Sequence, residues 1–304
     1  MPARALGTFF IRGKNVRYPD ICLPAFARTG HGMSHAGGVI STATQESVLP
    51  GRPAVITGVE NGPDIPATLL RASCYLEILI PARDEARRLS ETLISTVRYL
   101  EAQPYSSSVV VIDNGSVDQT ADLAARQWSD RIPVHLTGCA QPGKGAAVRR
   151  GILTSRAQFI GYMDADLATP IETLDVVVPL LGEFRAVVGS RRAGGATLVK
   201  RQPAHRVVSS MMFRAVANLV VHGLADTQCG FKFFAGDLAR TAARQLRIDG
   251  FAFDVELLRA VTNMGVLVKE VPVMWTDKKG STLRTLDGAR ATMDLLRLAY
   301  RKPA

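Results

Sequence analysis

The chain has 304 residues, of which 47% are apolar and 21% are charged, an ordinary globular composition with ample length for a buried core. Its formal net charge of +10 favours anionic partners, namely nucleic acid, an acidic membrane face or phosphorylated substrates, without choosing among them. The sequence contains neither an apolar run long enough to cross a bilayer nor an apolar leader, so we expect no transmembrane helix and no signal peptide. The four cysteines lack zinc-type or C-x-x-C spacing, which favours reduced thiols in a cytoplasmic protein.

Two regions differ in pattern. Residues 1–72 are rich in small residues and proline, show no sustained period, and are predicted to be a poorly ordered extension. Residues 73–304 alternate β-rich runs with helical stretches, which predicts a single α/β domain with a mostly parallel central sheet flanked by helices. The predicted strands are Leu76–Ile80, Val109–Ile112, Val134–Thr137, Phe159–Met163, Ala186–Gly189, Gly230–Phe234 and a stretch near Val266–Val273. The predicted helices are Ala86–Ala102, Asp118–Trp128, Gly145–Ser155, Ile171–Leu181, Ala204–Val221, one around Phe253–Met264, and Leu286–Tyr300.

Polar loops follow each of the first four predicted strands. Taken singly, each has a plain structural explanation, such as a helix N-cap or a common glycine turn. In parallel α/β sheets, however, ligands bind beyond the carboxyl ends of the strands, which lie at one edge. Four such loops therefore predict a binding crevice there. They comprise residues 81–85, 113–120, 143–145 and 164–166.

The sharpest feature of these loops is the pair Asp164 and Asp166, directly after an apolar strand. Two close carboxylates repel each other, and the repulsion raises the pKa of one of them. A hard divalent cation removes that repulsion, and it can share its coordination sphere with diphosphate oxygens. The pair therefore predicts a Mg²⁺ or Mn²⁺ site that also serves a departing nucleotide diphosphate.

Several motifs together resemble the family 2 glycosyltransferases. Within that family the chain is most similar to the dolichyl-phosphate β-glucosyltransferase and polyprenyl-phosphate glycosyltransferase branch, mainly through D-T-Q-C-G-F-K. The resemblance covers residues 76 to about 284 and implies a nucleotide-sugar-binding, Rossmann-like fold of the GT-A type. The matching stretches are Ile80–Glu85, Val109–Thr120, Gly143–Gly151, Tyr162–Thr169, Val187–Arg191, Asp226–Phe234 and Phe253–Leu258.

The resemblance also implies roles for single residues. Asp164 and Asp166 would hold Mg²⁺ or Mn²⁺ with the diphosphate. Arg191 and Arg206 match basic residues that receive phosphate groups, and Asp226 would face the acceptor, as general base if the acceptor is a hydroxyl. The residues that would bind the donor nucleotide are Pro81, Arg83, Glu85, Asp113, Ser116, Lys144, Gly145, Asp164 and Ala165.

The resemblance favours an inverting transfer from a UDP-sugar, with glucose or N-acetylglucosamine first. The sequence departs from the commonest pattern at Arg83 and Asp84, which replace Tyr-Asn, and at Asn114, which replaces a second Asp. Ala168 stands where mannosyl-phosphate synthases have a Gln, so a third protein ligand to the metal is not expected. The acceptor stays open between a polyprenyl or dolichyl phosphate and a soluble hydroxyl compound of natural-product or polysaccharide biosynthesis.

Three other kinds of protein are alternatives to a glycosyltransferase. A nucleotidyltransferase would carry a glycine-rich phosphate loop after the first strand, whereas Pro81–Glu85 contains no glycine. A nucleic-acid-binding protein would place its basic residues in a stripe with stacking aromatics, but aromatics are only 6% and the basic residues are spread out. A non-enzymatic anion-binding module is the more distant alternative.

The predicted helix Ala204–Val221 has apolar residues on more than one face, which favours core packing. Its alternative is a peripheral contact with the cytoplasmic face of a membrane, where Lys200, Arg201 and Arg206 would meet phosphate headgroups. Phe231, Phe233 and Phe234 are predicted to belong to a core strand.

Overall fold

The computed structural model describes residues 8–11, 14–17, 55–56, 70–198, 213–276 and 285–300. The chain divides into two compact units, Met1–Val48 and Leu49–Ala304. In the first unit, strands β1 (Thr8–Ile11) and β2 (Lys14–Arg17) pair in antiparallel fashion. The other described elements belong to the second unit.

The second unit is built on an eight-stranded sheet. Its strands are β3 (Val55–Ile56), β4 (Leu76–Ala82), β5 (Ser107–Asp113), β6 (Val134–Gly138), β7 (Phe159–Met163), β8 (Ala186–Ser190), β10 (Phe231–Ala235) and β11 (Val268–Pro272). Their order across the sheet is β11-β8-β10-β7-β4-β5-β6-β3. Only β10 runs antiparallel to its neighbours, β7 and β8. Strands β9 (Thr197–Leu198) and β12 (Met274–Trp275) form a separate parallel pair.

Helices cover both faces of this sheet. They are α1 (Ala86–Glu101), α2 (Thr120–Ala124), α3 (Lys144–Thr154), α4 (Leu174–Leu180), α5 (213–220), α6 (Gly236–Ala243), α7 (Phe253–Asn263) and α8 (Thr285–Ala299). Strand β4 is buried on both sides: Ile78 and Ile80 join the core under α1, α2 and α4, whereas Leu79 joins the core under α3, α6 and α7. This double burial is why the central strands read as continuous apolar runs.

The predicted α/β fold with a mostly parallel sheet is confirmed, and β7 has the predicted bounds. Helix α2 is shorter than the predicted Asp118–Trp128: it begins at Thr120, whose N–H is bound by the Asp118 carboxylate, and it ends at Ala124. Helix α6 was not predicted, since its buried face consists largely of alanines. Phe231, Phe233 and Phe234 are buried core residues, as predicted.

Two predictions fall largely outside the described residues. Of the predicted helix Ala204–Val221, only 213–220 is described as α5; Arg206 lies outside the described residues. Most of the predicted extension 1–72 also lies outside the described residues, and its predicted disorder stays a prediction.

Near the end of that predicted extension, Arg71 is 5% exposed and donates to both carboxylate oxygens of the fully buried Glu77, at 2.8 and 2.6 Å. Among the described helices, none is long and apolar enough to cross a membrane.

Candidate active site

The four polar loops lie at one edge of the sheet, as predicted. Strands β4, β5, β6 and β7 run parallel, and Ala82 pairs with Asp113, which in turn pairs with Gly138. The residues that follow each strand therefore meet at the carboxyl edge.

The loops after β4 and β5 are tied together by hydrogen bonds around Asp84. This residue adopts a φ of 55°, a left-handed conformation that is uncommon for a non-glycine residue. Its N–H donates to Ser116 Oγ (3.0 Å), and its Oδ1 accepts the Val117 N–H (2.9 Å). Ser116 therefore holds the backbone of the neighbouring loop in this conformation.

Asp118 reinforces the same junction. Its Oδ2 accepts the N–H of Ala86 at the start of α1 (3.1 Å), and its Oδ1 accepts the Thr120 N–H and hydroxyl (2.9 and 2.5 Å). Slight desolvation opposes ionisation, but these hydrogen bonds outweigh it and lower the pKa of Asp118 below its usual value. The carboxylate caps a helix that begins more than thirty residues earlier in the chain.

Asp113 ends β5 and is predicted to bind the nucleobase. Its Oδ2 accepts the Ser116 N–H at a long 3.4 Å. Its Oδ1 is buried and has no hydrogen-bond partner within the part of the chain that the structure describes. A buried acceptor without a partner is costly, which makes this oxygen suited to a donor group on a ligand.

Asn114, which stands where the sequence resemblance leads one to expect Asp, fastens the third loop. Its Nδ2 donates to the carbonyls of Cys139 (3.2 Å) and Gln141 (2.8 Å), and its Oδ1 accepts the Gly143 N–H (2.7 Å). A carboxylate could accept but not donate, so only the amide makes this set of bonds. The sequence shows the substitution at Asn114 but not this role.

The Gly-Lys-Gly turn packs tightly on the loop before α7. Gly143 has a φ of 125°, and a Cβ there would lie 2.1 Å from the Asp249 carbonyl oxygen. Gly145 donates its N–H to the same oxygen at 2.7 Å, and a Cβ on it would meet Phe253 Cβ at 2.5 Å. Both glycines are required for close backbone approach, which sets the position of Lys144 between them.

Lys144 and the two aspartates form the charged centre of the crevice. Lys144 Nζ lies 2.5 Å from Asp164 Oδ1. Burial disfavours the charged lysine, but the Asp164 carboxylate outweighs this and raises the pKa of Lys144. Burial, and then the charge of Asp164, raise the pKa of Asp166. The like-charge repulsion expected from the sequence is therefore present between the two carboxylates.

Neighbouring residues fix this acidic pair. Arg88 was not singled out from the sequence; its Nη2 lies 2.6 Å from Glu85 Oε2 and its Nη1 lies 3.9 Å from Asp166 Oδ2. Burial raises the pKa of Glu85 despite that contact. The Ala165 carbonyl accepts the Thr92 hydroxyl at 2.6 Å, which anchors the loop to α1. Gly230 leaves room for the pair, because a Cβ there would lie 2.0 Å from Asp164 Oδ2.

Pro81 and Arg83 flank the crevice differently. Pro81 lies within β4 opposite Ile112, whereas Arg83 is exposed. Among the described residues there is no group of three or more His, Cys, Asp or Glu side chains placed to hold a metal ion.

Across the crevice, Asp226 is locked to Arg191. Its carboxylate accepts the Arg191 N–H (3.0 Å), Nε (2.7 Å) and Nη2 (2.8 Å), and also the Gln228 N–H (3.1 Å). Asp226 is only 3% exposed. Burial opposes its ionisation, but the bonds from Arg191 outweigh it and lower the pKa of Asp226 to about 2. With all four acceptor positions filled, this carboxylate is a poor proton acceptor.

Further contacts orient the Asp226–Arg191 pair. Glu270 on β11 accepts the N–H groups of Ala225 (2.8 Å) and Asp226 (3.0 Å). The Arg191 guanidinium lies 5.5 Å from the ring centroid of Trp275, within the range of a cation–π contact. Nothing in the sequence signals Glu270, since it belongs to none of the motifs and follows Asp226 by 44 residues.

Comparisons with known proteins identify the family of the chain. The family model for glycosyl transferase family 2 matches residues 77–238, and the chain belongs to this family. Dolichyl-phosphate beta-glucosyltransferase of Dictyostelium discoideum is 32% identical over 244 residues, covering 75% of this chain and 74% of that protein. The Homo sapiens protein of the same name is 32% identical over 225 residues, covering 68% and 69%. Family membership supports glycosyltransferase activity.

Solved structures agree on the fold. Glucosyl-3-phosphoglycerate synthase from Mycobacterium tuberculosis in complex with UDP gives a TM-score of 0.54 at 18% identity, covering 76% of this chain and 82% of that one. The same enzyme with Mn²⁺, UDP and phosphoglyceric acid gives 0.55 at 17% identity, covering 76% and 80%. At these identities the similarity establishes a shared glycosyltransferase fold of the expected GT-A type.

Proposed function

We propose that this glycosyltransferase moves a sugar, glucose first, from its UDP donor to a polyprenyl or dolichyl phosphate, with inversion at the anomeric carbon. The observation that carries the proposal is the locked Asp226–Arg191 pair facing the crevice of Asp164 and Asp166. It offers a fixed cation for an anionic acceptor and no free base for a neutral one. The names of the relatives in Dictyostelium and human support the same acceptor class.

The donor would lie along the carboxyl edge of the sheet. Asp113 Oδ1 is a buried acceptor suited to a donor group of the base, and Ser116 shapes its loop. We propose that the Lys144 ammonium group, which contacts Asp164 in the structure, binds a phosphate oxygen of the nucleotide when the donor is present. An ammonium group binds carboxylate and phosphate oxygens alike. Glu85, Gly145 and Ala165 contribute by shaping the loops around the nucleotide, and Pro81 and Arg83 by flanking it.

The acidic pair fits a hard divalent cation. Asp164 and Asp166 supply only oxygen ligands, and burial, followed by the charge of Asp164, raises the pKa of Asp166, so a cation would favour its ionised form. Mg²⁺ and Mn²⁺ commonly complete their coordination with diphosphate oxygens and water, so two protein carboxylates suffice. When bound, the cation would offset the charge of the departing diphosphate. Solved complexes of the mycobacterial enzyme of similar fold contain Mn²⁺ or Mg²⁺ with UDP.

The acceptor phosphate would be held by guanidinium groups. Arg191 is pre-oriented by Asp226, and Arg206 is proposed as a second partner on the sequence resemblance. An oxygen of the acceptor phosphate attacks the anomeric carbon while the bond from that carbon to UDP breaks. Because the phosphate is already anionic, the protein chiefly orients the two reactants. Asp226 then acts as a positioning residue.

The alternative acceptor is a soluble hydroxyl compound, which would need a general base. Asp226 is the residue expected to act as that base, yet its low pKa and its filled hydrogen-bond acceptor positions make it a poor proton acceptor.

A lipid acceptor also calls for contact with a membrane.

Calorimetry on the donor tests the first half of this proposal. UDP should bind more tightly in the presence of Mn²⁺ than in its absence, and more tightly than GDP. Asp166→Asn should remove the Mn²⁺ effect, whereas Asp130→Asn, at an exposed carboxylate outside the crevice, should retain it. Tighter binding of GDP, or full transfer activity in excess EDTA, would overturn the assignment.

A further inference from the structure

The antiparallel strand β10 lies between the two sides of the proposed site. It pairs with β7, which leads to Asp164, and with β8, which leads to Arg191. Because β10 runs against both neighbours, its amino end lies at their carboxyl ends, the edge where ligands bind in sheets of this kind. Residues 226–230, which lead into β10, therefore lie between the donor side of the site, at Asp164, and the acceptor side, at Arg191.

The segment 226–230 contacts both sides. At its first residue, the Asp226 carboxylate accepts three hydrogen bonds from Arg191. At its last residue, the Gly230 carbonyl accepts the Asp164 N–H at 3.1 Å, and a Cβ on Gly230 would lie 2.0 Å from Asp164 Oδ2. A shift of this segment would therefore move the acceptor-side arginine and the donor-side aspartate relative to each other.

Lys232 holds this segment from within the core. Its side chain is fully buried on β10, and its Nζ donates to the Cys229 carbonyl at 2.5 Å and to Asp254 Oδ1 at 2.6 Å. The same carboxylate oxygen accepts the hydroxyl of Tyr162, which lies opposite Lys232 on β7 and two positions before Asp164. One ammonium group thus ties the segment to the strand that carries the donor-side carboxylate.

Stability alone does not account for a charged pair at this place. Both groups of a buried ion pair lose their hydration, and replacing such a pair by apolar residues of similar volume is often neutral or stabilising. The neighbouring residues on β10, Phe231, Phe233 and Phe234, are all apolar and buried. An apolar side chain at position 232 could not donate a hydrogen bond to the Cys229 carbonyl. The contact with the segment is therefore what Lys232 adds.

We propose that Lys232 is a positioning residue for the transfer. It holds residues 226–230 and thereby fixes the spacing between Arg191 and Asp164. This rests on the proposed function, in which Asp164 serves the cation and the departing diphosphate, and Arg191 serves the acceptor phosphate. Because Lys232 is fully buried, it acts on the reactants only through this segment. A displacement of about 1 Å caused far from the chemistry can cost about 10²-fold in rate.

The test compares Lys232→Met with two variants that separate position from stability. Arg71→Met is the matched control, because it breaks a buried ion pair of the same kind, with Glu77, at the start of β4 and thus at the opposite edge of the sheet. The double variant, Lys232→Met with Asp254→Leu, removes both charges but restores no donor to the Cys229 carbonyl. UDP is titrated calorimetrically into each protein with and without Mn²⁺. The kcat for transfer to polyprenyl phosphate is measured with saturating substrates and Mn²⁺, at a temperature where each protein is folded.

We expect Lys232→Met and the double variant to lower kcat about 10²-fold. The gain in UDP affinity that Mn²⁺ confers should fall about tenfold, the effect of losing a residue that orients a metal ligand. The affinity for UDP alone should change less than about twofold, and Arg71→Met should behave as wild type in both measurements despite its lower stability.

Two results would overturn the positioning role. Wild-type kcat and a wild-type Mn²⁺ effect in the folded double variant would mean that the Lys232–Asp254 pair serves stability alone. An equal loss of both in Arg71→Met would mean that the losses follow general destabilisation.

The two readouts also separate this proposal from the proposed function. If the wild type transfers no sugar to polyprenyl phosphate, but the Mn²⁺ effect on UDP binding falls only in the two Lys232 variants, the positioning role is supported and the acceptor assignment is refuted. If the wild type transfers sugar, and Lys232→Met keeps its kcat and its Mn²⁺ effect, the proposed function stands and the positioning role is refuted.

Discussion

Lys232 Nζ lies 2.6 Å from Asp254 Oδ1, and both side chains are buried. The same carboxylate oxygen accepts the Tyr162 hydroxyl, and Lys232 also donates to the Cys229 carbonyl at 2.5 Å. The pair thus joins β10, β7 and α7 to the loop that carries Asp226. Burial, and then the charge of Asp254, raise the pKa of Tyr162, which keeps it a neutral donor.

We expect Lys232→Met to destabilise the protein by about 3–5 kcal/mol, the range for removing one partner of a buried ion pair. Asp254 would be left charged and buried with only the tyrosine hydroxyl. Urea unfolding measures the loss. A double variant, Lys232→Met with Asp254→Leu, should recover part of it because no charge stays buried. Equal stability of wild type and Lys232→Met would contradict this account.

Asn114→Asp should weaken donor binding although the side chain keeps its size. An aspartate cannot donate to the carbonyls of Cys139 and Gln141, and its charge would face them at hydrogen-bond distance. The loop that positions Lys144 would loosen, and we expect UDP affinity to fall about tenfold by calorimetry, with a loss of stability of about 1–3 kcal/mol. Unchanged UDP binding would mean that the Asn114 contacts do not govern the loop.

The pH dependence of the rate should show no ionisation that belongs to Asp226. Its pKa of about 2 puts it fully ionised throughout the neutral range. Asp226→Asn should therefore lower kcat by less than the 10²–10⁴-fold (order of magnitude) that a general base supplies, and leave the profile between about pH 5 and 8 unchanged. Loss of a limb in that range, with a severe fall in kcat, would instead assign Asp226 as base for a hydroxyl acceptor.

The ionised Asp226 carboxylate should also contribute to the pH dependence of protein stability at low pH. A pKa lowered from 3.8 to about 2 means that folding favours the ionised form. The resulting stabilisation, about 2 kcal/mol, is present above about pH 4 and is lost as the pH falls toward 2. Thermal unfolding of the wild type and of Asp226→Asn should converge over that window. A constant difference down to pH 2 would contradict the lowered pKa.

Truncation tests the contribution of Arg71 to the stability of the domain. A chain that begins at Leu70 keeps Arg71 and its contacts with Glu77, Thr154 Oγ1 (2.7 Å) and the Gly151 carbonyl (2.8 Å). A chain that begins at Ser73 leaves Glu77 charged and buried, so we expect it to be about 3–5 kcal/mol less stable. Arg71→Met in the full chain is the control and should show a similar loss. Equal stability of both truncated proteins would rule out this role.

The fold could be predicted because its signals are local. The apolar run Phe159–Met163 bounded by polar residues gave a strand with the observed ends, and Leu89, Leu93, Val97 and Leu100 form the buried face of α1 that their spacing predicts. Parallel pairing then placed the polar loops at one edge. Helix α6 escaped prediction because alanines carry little hydrophobic contrast between its two faces.

The pairings within the site could not be predicted in the same way. Arg191 and Asp226 are 35 residues apart, and sequence spacing does not report that the arginine fills the acceptor positions of the carboxylate. Asn114 was noted only as a departure from a common pattern, although the loss of a charge in exchange for two donors was a usable signal. Glu270 and Arg88 lie in no motif and become relevant only through tertiary contacts.

The anomeric configuration of the product tests most directly whether the protein catalyses an inverting transfer from a UDP-sugar to a lipid phosphate. The protein is incubated with UDP-glucose, Mg²⁺ and polyprenyl phosphate, and the product is analysed by mass spectrometry and by the anomeric proton coupling in NMR. We predict a glucosyl polyprenyl phosphate with the β configuration, opposite to that of the donor. An α-linked product, or transfer only to hydroxyl acceptors, would contradict the account.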